Sequence, residues 1–263
     1  MSEASGINIT DQMGRQISLP SYPKRIISLV PSQTEFLYDL GLTEEVVGQT
    51  LFCVHPANMH AIKPRIGGTK TLQLDKIRAL KPELIIANKE ENTQGQIEEL
   101  MCDFPVYISD ISTLEDAIQM MEQIGKLVGK SEQASQISTN IKRTFSALVR
   151  TETAEKCLYL IWRKPYMAAG SETFIGNILQ QIGFENSVKG RYPIMTDAEM
   201  MAQNPSHIFL SSEPYPFKDS HIQELQVLCP KAQISLVDGE MFSWYGSRLV
   251  HAAAYFKSFV GNK

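Results

Sequence analysis

Two rhythms of apolar and polar residues alternate along the chain. Short apolar, β-branched runs at 25–30, 46–48, 84–87 and 106–108 have the length and composition of buried strands. Between them, 33–40, 74–80 and 97–101 carry helical spacing. Strands that alternate with helices in this way predict a parallel sheet covered by helices. Ahead of them, 7–10 and 16–19 flank a Gly-containing turn and predict a small hairpin. Ser32 and Glu35 have capping-box spacing, and Gly41 stands where a helix would close.

The rhythm then changes. Apolar residues at 114, 117, 118, 121, 124, 127 and 128 mark one helix, broken at Gly129. Ser131 caps a second that runs to about residue 150, ~29 Å at 1.5 Å per residue. From 157 the strand and helix alternation returns, with strands at 157–162, 208–210 and 234–237 and helices at 173–181, 197–203, 222–228 and 247–260. The organisation is lobe, helix, lobe: 1–129, a connecting helix over 130–152, and 153–263.

The two lobes echo each other. Leu80-Lys81-Pro82-Glu83-Leu84-Ile85-Ile86-Ala87 and Gln203-Asn204-Pro205-Ser206-His207-Ile208-Phe209-Leu210 both read as a helix end, a proline and a buried strand. Glu90 follows the first proline at the same offset as Glu213 follows the second. Paired α/β lobes imply a cleft between them, where small ligands bind.

Composition excludes several functions. Of 263 residues, 43% are hydrophobic and 21% charged, an ordinary globular balance. The net charge of −4, without a Lys/Arg-rich run, argues against nucleic acid as a partner. No run approaches the ~20 apolar residues of a membrane span, and residues 1–20 lack the pattern of a signal peptide. Cys53, Cys102, Cys157 and Cys229 form no C-x-x-C pair. Cys102, Cys157 and Cys229 read as core thiols. The five histidines show no H-x-x-x-H spacing, so no metal ligand is assigned, with His55 the one candidate.

The segment Tyr22-Pro23-Lys24-Arg25-Ile26-Ile27-Ser28-Leu29-Val30-Pro31-Ser32-Gln33-Thr34-Glu35 resembles the opening of the helical-backbone, class III periplasmic substrate-binding proteins of ABC importers. Leu74-Asp75-Lys76-Ile77-Arg78-Ala79-Leu80-Lys81-Pro82-Glu83-Leu84-Ile85 resembles a second segment of the same family. The likeness is nearest to the corrinoid binders, with ferric-siderophore and haem binders as cousins. It implies two Rossmann-like lobes with mostly parallel sheets, joined by a single long backbone helix. It implies binding without chemistry: no cofactor of its own, and a cobalt- or iron-containing chelate as ligand. The expected partner is the importer's permease dimer, met by one acid per lobe, Glu213 in the second and Glu90 or Glu91 in the first. The expected location is periplasmic and the expected state monomeric. A cytoplasmic corrinoid or chelate carrier or sensor is the variant that fits the absent leader.

A flat chelate needs aromatic surface and a few placed polar groups. Trp162, Arg163 and Tyr166 follow one strand of the second lobe, and Trp244, Tyr245 and Arg248 follow another. Residues beyond strand carboxyl ends line the crevice of parallel sheets, so both tryptophans are expected to be exposed there. In the first lobe His55, Lys70 and Asn88 occupy comparable loops; Asn88 stands where the corrinoid binders carry a tryptophan. The competing reading is an enzyme with Cys53 as nucleophile and His55 as base. The chain has no G-x-S-x-G, G-x-G-x-x-G or Walker motif to support it.

Overall fold

A computed structural model describes residues 6–148 and 154–260, with the side chains of 258–260 excluded. In chain order its elements begin with β1 (Ile7–Thr10), β2 (Gln16–Leu19), β3 (Ile26–Ser28), α1 (Pro31–Asp39) and β4 (Val46–Gln49). Then follow α2 (Ala57–Ile62), α3 (Leu74–Ala79), β5 (Leu84–Asn88), α4 (Gln94–Met101), β6 (Val106–Ser109), α5 (Leu114–Leu127) and α6 (Ser131–Ser146). After them come β7 (Glu155–Trp162), β8 (Tyr166–Ala168), α7 (Phe174–Gln181), β9 (Phe184–Asn186), β10 (Ile194–Met195) and α8 (Asp197–Gln203). The last are β11 (His207–Ser211), α9 (Asp219–Leu228), β12 (Gln233–Val237), α10 (Gly239–Ser243) and α11 (Leu249–Val260).

The contacts divide the chain into two units. The first holds the residues up to Ile111, Glu115–Asn140 and Tyr245–Arg248; the second holds Ser112–Leu114, Ile141–Trp244 and the chain from Leu249 onward. The dividing line therefore falls inside α6. The expected extension of that helix to residue 150 stops at Ser146, and 149–150 lie outside the described residues.

In the first unit the sheet is parallel, in the order β4-β3-β5-β6. β3 and β5 are buried along their whole length, as central strands covered on both faces must be. The hairpin β1–β2 lies against the β6 edge. Its turn residue Asp11 accepts from the Ile108 amide, and Gln12 accepts from the Asp110 amide. Those bonds occupy edge amides that would otherwise invite another strand.

The capping box expected at Ser32 and Glu35 does not form. Pro31 takes the first turn of α1, so the helix begins two residues early and Val30 is its N-cap, without a side-chain bond. Proline suits that position because its missing N–H would go unused. Glu35 instead receives Arg248 in a bidentate pair, 2.9 Å from Nε and 2.6 Å from Nη2. At the far end of α1 the Gly41 and Leu42 amides bond the carbonyls of Tyr38 and Leu37, a Schellman closure.

In the second unit β7, β11 and β12 are parallel, and β9 pairs with β7 in the same sense. β8 and β10 add antiparallel pairs on one side. They depart from the all-parallel alternation, since neither carries a strand pattern of its own. The repeat noticed in the sequence has a backbone counterpart in each unit. Lys81 (φ 45°) and Asn204 (φ 46°), which precede the two matched prolines, are both left-handed. Lys164, the third such non-glycine residue among those described, also precedes a proline. A following proline disfavours the right-handed helical region, and the left-handed one turns the chain sharply into the next strand.

Candidate functional site

Each matched strand ends on a side chain that folds the next loop. In the first unit the Asn88 side-chain oxygen accepts from the Glu90 and Glu91 amides, and its Nδ2 donates to Ser109. In the second unit Ser211, at the same offset from its proline, accepts from the Glu213 amide and donates to the Glu213 carbonyl. Asn88 is 3% exposed and its amide is spent on this work. The two acids expected at the loops are therefore both placed by the residue that closes the strand.

Glu213 is not a freely solvated acid. Its Oε1 accepts from Ser243 Oγ at 2.8 Å and from Trp244 Nε1 at 3.1 Å. Burial lifts its carboxyl above the ordinary range, and Glu240 and Asp238 push the same way against the two donors. A raised folded value favours the protonated form. Ionisation of Glu213 therefore costs stability, increasingly so as pH rises through its folded value, and costs nothing below the unfolded carboxyl's ~4.3. Glu213→Gln keeps an acceptor for both donors. It is expected to raise the urea midpoint at pH 7, with the gain vanishing near pH 4. An unchanged midpoint at pH 7 would contradict the assigned burial cost.

The two tryptophans part company. Trp162, the last residue of β7, is 42% exposed, as expected. Trp244 is 7% exposed, which corrects the expectation that it would be open. α10 intervenes between β12 and Trp244 and delivers the indole to Glu213. Tyr245 is buried as well, and Arg248 is spent on Glu35. The Trp162 ring meets Tyr215 edge-on, centroids 5.7 Å apart, and Tyr215 meets Phe217 at 4.9 Å and His221 at 5.6 Å. Trp162 ends β7 and Tyr215 stands in the loop after β11, at the carboxyl ends of parallel strands, where such sheets bind ligands. Next to them Arg163 Nη2 donates to Glu224 at 2.5 Å, and Tyr166 OH donates to the other Glu224 oxygen at 2.9 Å. Arg163 holds Glu224 below the usual carboxylate range, and burial pushes the Tyr166 hydroxyl up to about 12.

In the first unit, the loop after β4 carries Leu51, Phe52 and Val54 outward, with Phe52 57% exposed. Cys53 between them points inward and is fully buried. Its Sγ lies 3.1 Å from the hydroxyls of both Thr34 and Thr50, and burial raises the thiol. A nucleophilic cysteine needs the opposite shift, so the Cys53 and His55 enzyme reading loses its nucleophile. His55 is half-buried, and Lys70, at the tip of the Gly67-Gly68 loop, bonds the Glu90 carbonyl. Cys102, expected in the core, is exposed at the end of α4, whereas Cys157 and Cys229 are buried. Among the described residues no group of three or more His, Cys, Asp or Glu could hold a metal ion, and no helix is long and apolar enough to cross a membrane.

Two loop aromatics are absent from the expected set, Phe52 in the first unit and Tyr215 in the second. Both carried a signal: an aromatic residue in the loop just past a strand, outside any periodic stripe.

Comparisons with known proteins bear on the family and the fold. The profile of the family described as "Periplasmic binding protein" matches residues 26–227, well over half of the chain. The vitamin B12-binding protein of Pectobacterium carotovorum subsp. carotovorum (strain PC1) is 25% identical over 240 residues, 88% of this chain and 86% of that protein. Among solved structures, the periplasmic heme-binding protein RhuT from Roseiflexus sp. RS-1 superposes with a TM-score of 0.78 at 19% identity, over 90% of this chain and 98% of that one. The periplasmic catecholate-siderophore binding protein VctP from Vibrio cholerae gives 0.79 at 13% identity, over 97% and 100%. At these identities the structural likenesses establish the fold.

Proposed function

The chain belongs to the periplasmic binding protein family, and from that membership we propose that it captures a metal chelate, a flat corrinoid or haem or else a ferric siderophore, for an ABC importer. The observation that carries the ligand class is the aromatic ledge of Trp162 and Tyr215 at the carboxyl ends of β7 and β11. An exposed indole braced edge-on by a tyrosine is rigid. It offers a planar ligand a face to stack on at little entropic cost.

Phe52 supplies a second apolar surface, on the first unit, with His55 and Lys70 as its polar neighbours. Arg163 and Tyr166 border the ledge. Asn88, Trp244, Tyr245 and Arg248 support the loops from beneath, so their substitution acts on ligand affinity through positioning. Glu90, Glu91 and Glu213 are the acids offered to basic side chains of a permease dimer. The protein works outside the cytoplasm, as a monomer, and needs no cofactor of its own.

The test is equilibrium dialysis of the purified chain against cobalamin, cobinamide, haem and a ferric catecholate siderophore. Saturable binding of at least one is expected, at one ligand per chain. No binding to any of the four would overturn the ligand class.

A further inference from the structure

Beside the Trp162 ledge, Arg163 has donors to spare. Its Nη2 is taken by Glu224 Oε2, and Tyr166 OH takes the other Glu224 oxygen. Arg163 Nε is enclosed by protein and has no hydrogen-bond partner among the described residues. A shielded donor without an acceptor is costly, and guanidinium offers five N–H groups in a planar fork that fits carboxylate or phosphate. Glu224, by contrast, is satisfied on both oxygens. The turn that follows holds Lys164 at φ 63°, a conformation that non-glycine residues adopt where surroundings enforce it. That turn fixes Arg163 next to the exposed indole. The side chain of Arg163 is 17% exposed and that of Glu224 is 40% exposed, so the pair lies at the surface of the ledge.

We infer that Arg163 is a specificity residue that recognises an acidic group on the rim of the chelate stacked on Trp162, with Glu224 as its competing internal partner. The ligand class is thereby narrowed to planar chelates that bear carboxylate or phosphate at the edge. A change of the Arg163 rotamer away from Glu224 brings the fork to the ligand and relieves the unpartnered Nε. Glu224 keeps Tyr166 as donor when that happens. This inference rests on the reading of the ledge as a chelate-binding surface.

The test compares haem with its dimethyl ester, which differ only in the two carboxylates. Wild-type protein is expected to bind haem at least tenfold more tightly than the ester. Arg163→Gln is expected to bring haem down to the ester's affinity and to leave the ester unchanged. Glu224→Gln, which removes the competitor's charge and retains an acceptor for Tyr166, is expected to hold or tighten haem binding. Equal wild-type affinity for acid and ester, or equal weakening of both in Arg163→Gln, would overturn the role of Arg163 and leave the ledge intact. Binding of cobinamide or of a ferric catecholate siderophore with no binding of haem would do the same. Failure of wild-type protein to bind haem, its ester, cobalamin, cobinamide or the ferric catecholate would instead overturn the ledge as a chelate surface, and this inference with it.

Discussion

Trp162→Ala is expected to weaken binding of a flat chelate about tenfold to a hundredfold while leaving the unfolding midpoint nearly unchanged. The side chain is 42% exposed and its ring contact is the edge of Tyr215. Little native packing is lost with it, whereas a stacked ligand would lose its main apolar partner. Stacking and burial of one aromatic ring at a binding site is worth roughly 1.4–2.7 kcal/mol, which corresponds to that range of affinity. Trp244→Ala should behave in the opposite way. It removes a buried indole whose Nε1 donates to Glu213, so the effect falls on stability first. A titration calorimeter and a urea melt on both variants separate the two. Equal loss of affinity in both, without loss of stability in Trp244→Ala, would place the ligand on the wrong residue.

Gly67→Ala is expected to cost about 3 kcal/mol or more of stability. A Cβ on Gly67 would fall 2.3 Å from the Thr71 carbonyl oxygen, 3.0 Å from the Gln73 nitrogen and 3.1 Å from the Leu72 Cα. All three are backbone atoms and none can swing aside. Gly67 also sits at φ +104°, in the left-handed region that side chains resist. The loop is stitched to the Phe52 segment, because the Leu51 amide bonds the Gly67 carbonyl, and Gly68 lies under the Phe52 ring. The same substitution therefore disturbs the aromatic surface of the first unit. The thermal midpoint should fall by roughly 6–12 °C, using about 2–4 °C per kcal/mol for chains of this size class. Gly14→Ala is the control. Its φ is +76°, but nothing among the described residues lies within 4 Å of the added Cβ, so only the backbone term, about 1–2 kcal/mol, applies. A Gly67→Ala midpoint no lower than that of Gly14→Ala would contradict the steric account.

The strands that define each unit were legible because central parallel strands must be apolar on both faces. β3 and β5 have no exposed position, and β11 has only His207 part-exposed. The long periodic stripe of α5 was legible for the same kind of reason. What escaped was set by distant partners. Tyr166–Ala168 and Ile194–Met195 are strands only because β7 offers an edge to the first and the first to the second. Glu35 has capping-box spacing, yet its charge answers Arg248, 213 positions away, and Pro31 had already started the helix.

The expectation that residues past strand ends stand open holds for the exposure of Trp162 and fails for Trp244. The failure has a local cause. The five-residue α10, capped by Asp238, is too short to announce itself by periodicity, and it turns the next residue inward. Cys102 failed for a related reason. Its apolar neighbours are real, but it sits at the end of α4, on the exposed side. The echo between Pro82 and Pro205 proved deeper than its letters. It extends to the left-handed residue before each proline and to the strand-end side chains, Asn88 and Ser211, that fold each acidic loop.

The most direct test of the central claim is tryptophan fluorescence of the Trp244→Phe variant, in which Trp162 is the sole emitter. Titration with haem, cobalamin, cobinamide and a ferric catecholate is expected to give saturable quenching with at least one of them. The quenching constant should match the affinity from dialysis, because the chromophore stacks on the emitting ring. A ligand that binds by dialysis and leaves Trp162 emission unquenched would contradict the ledge as the recognition surface.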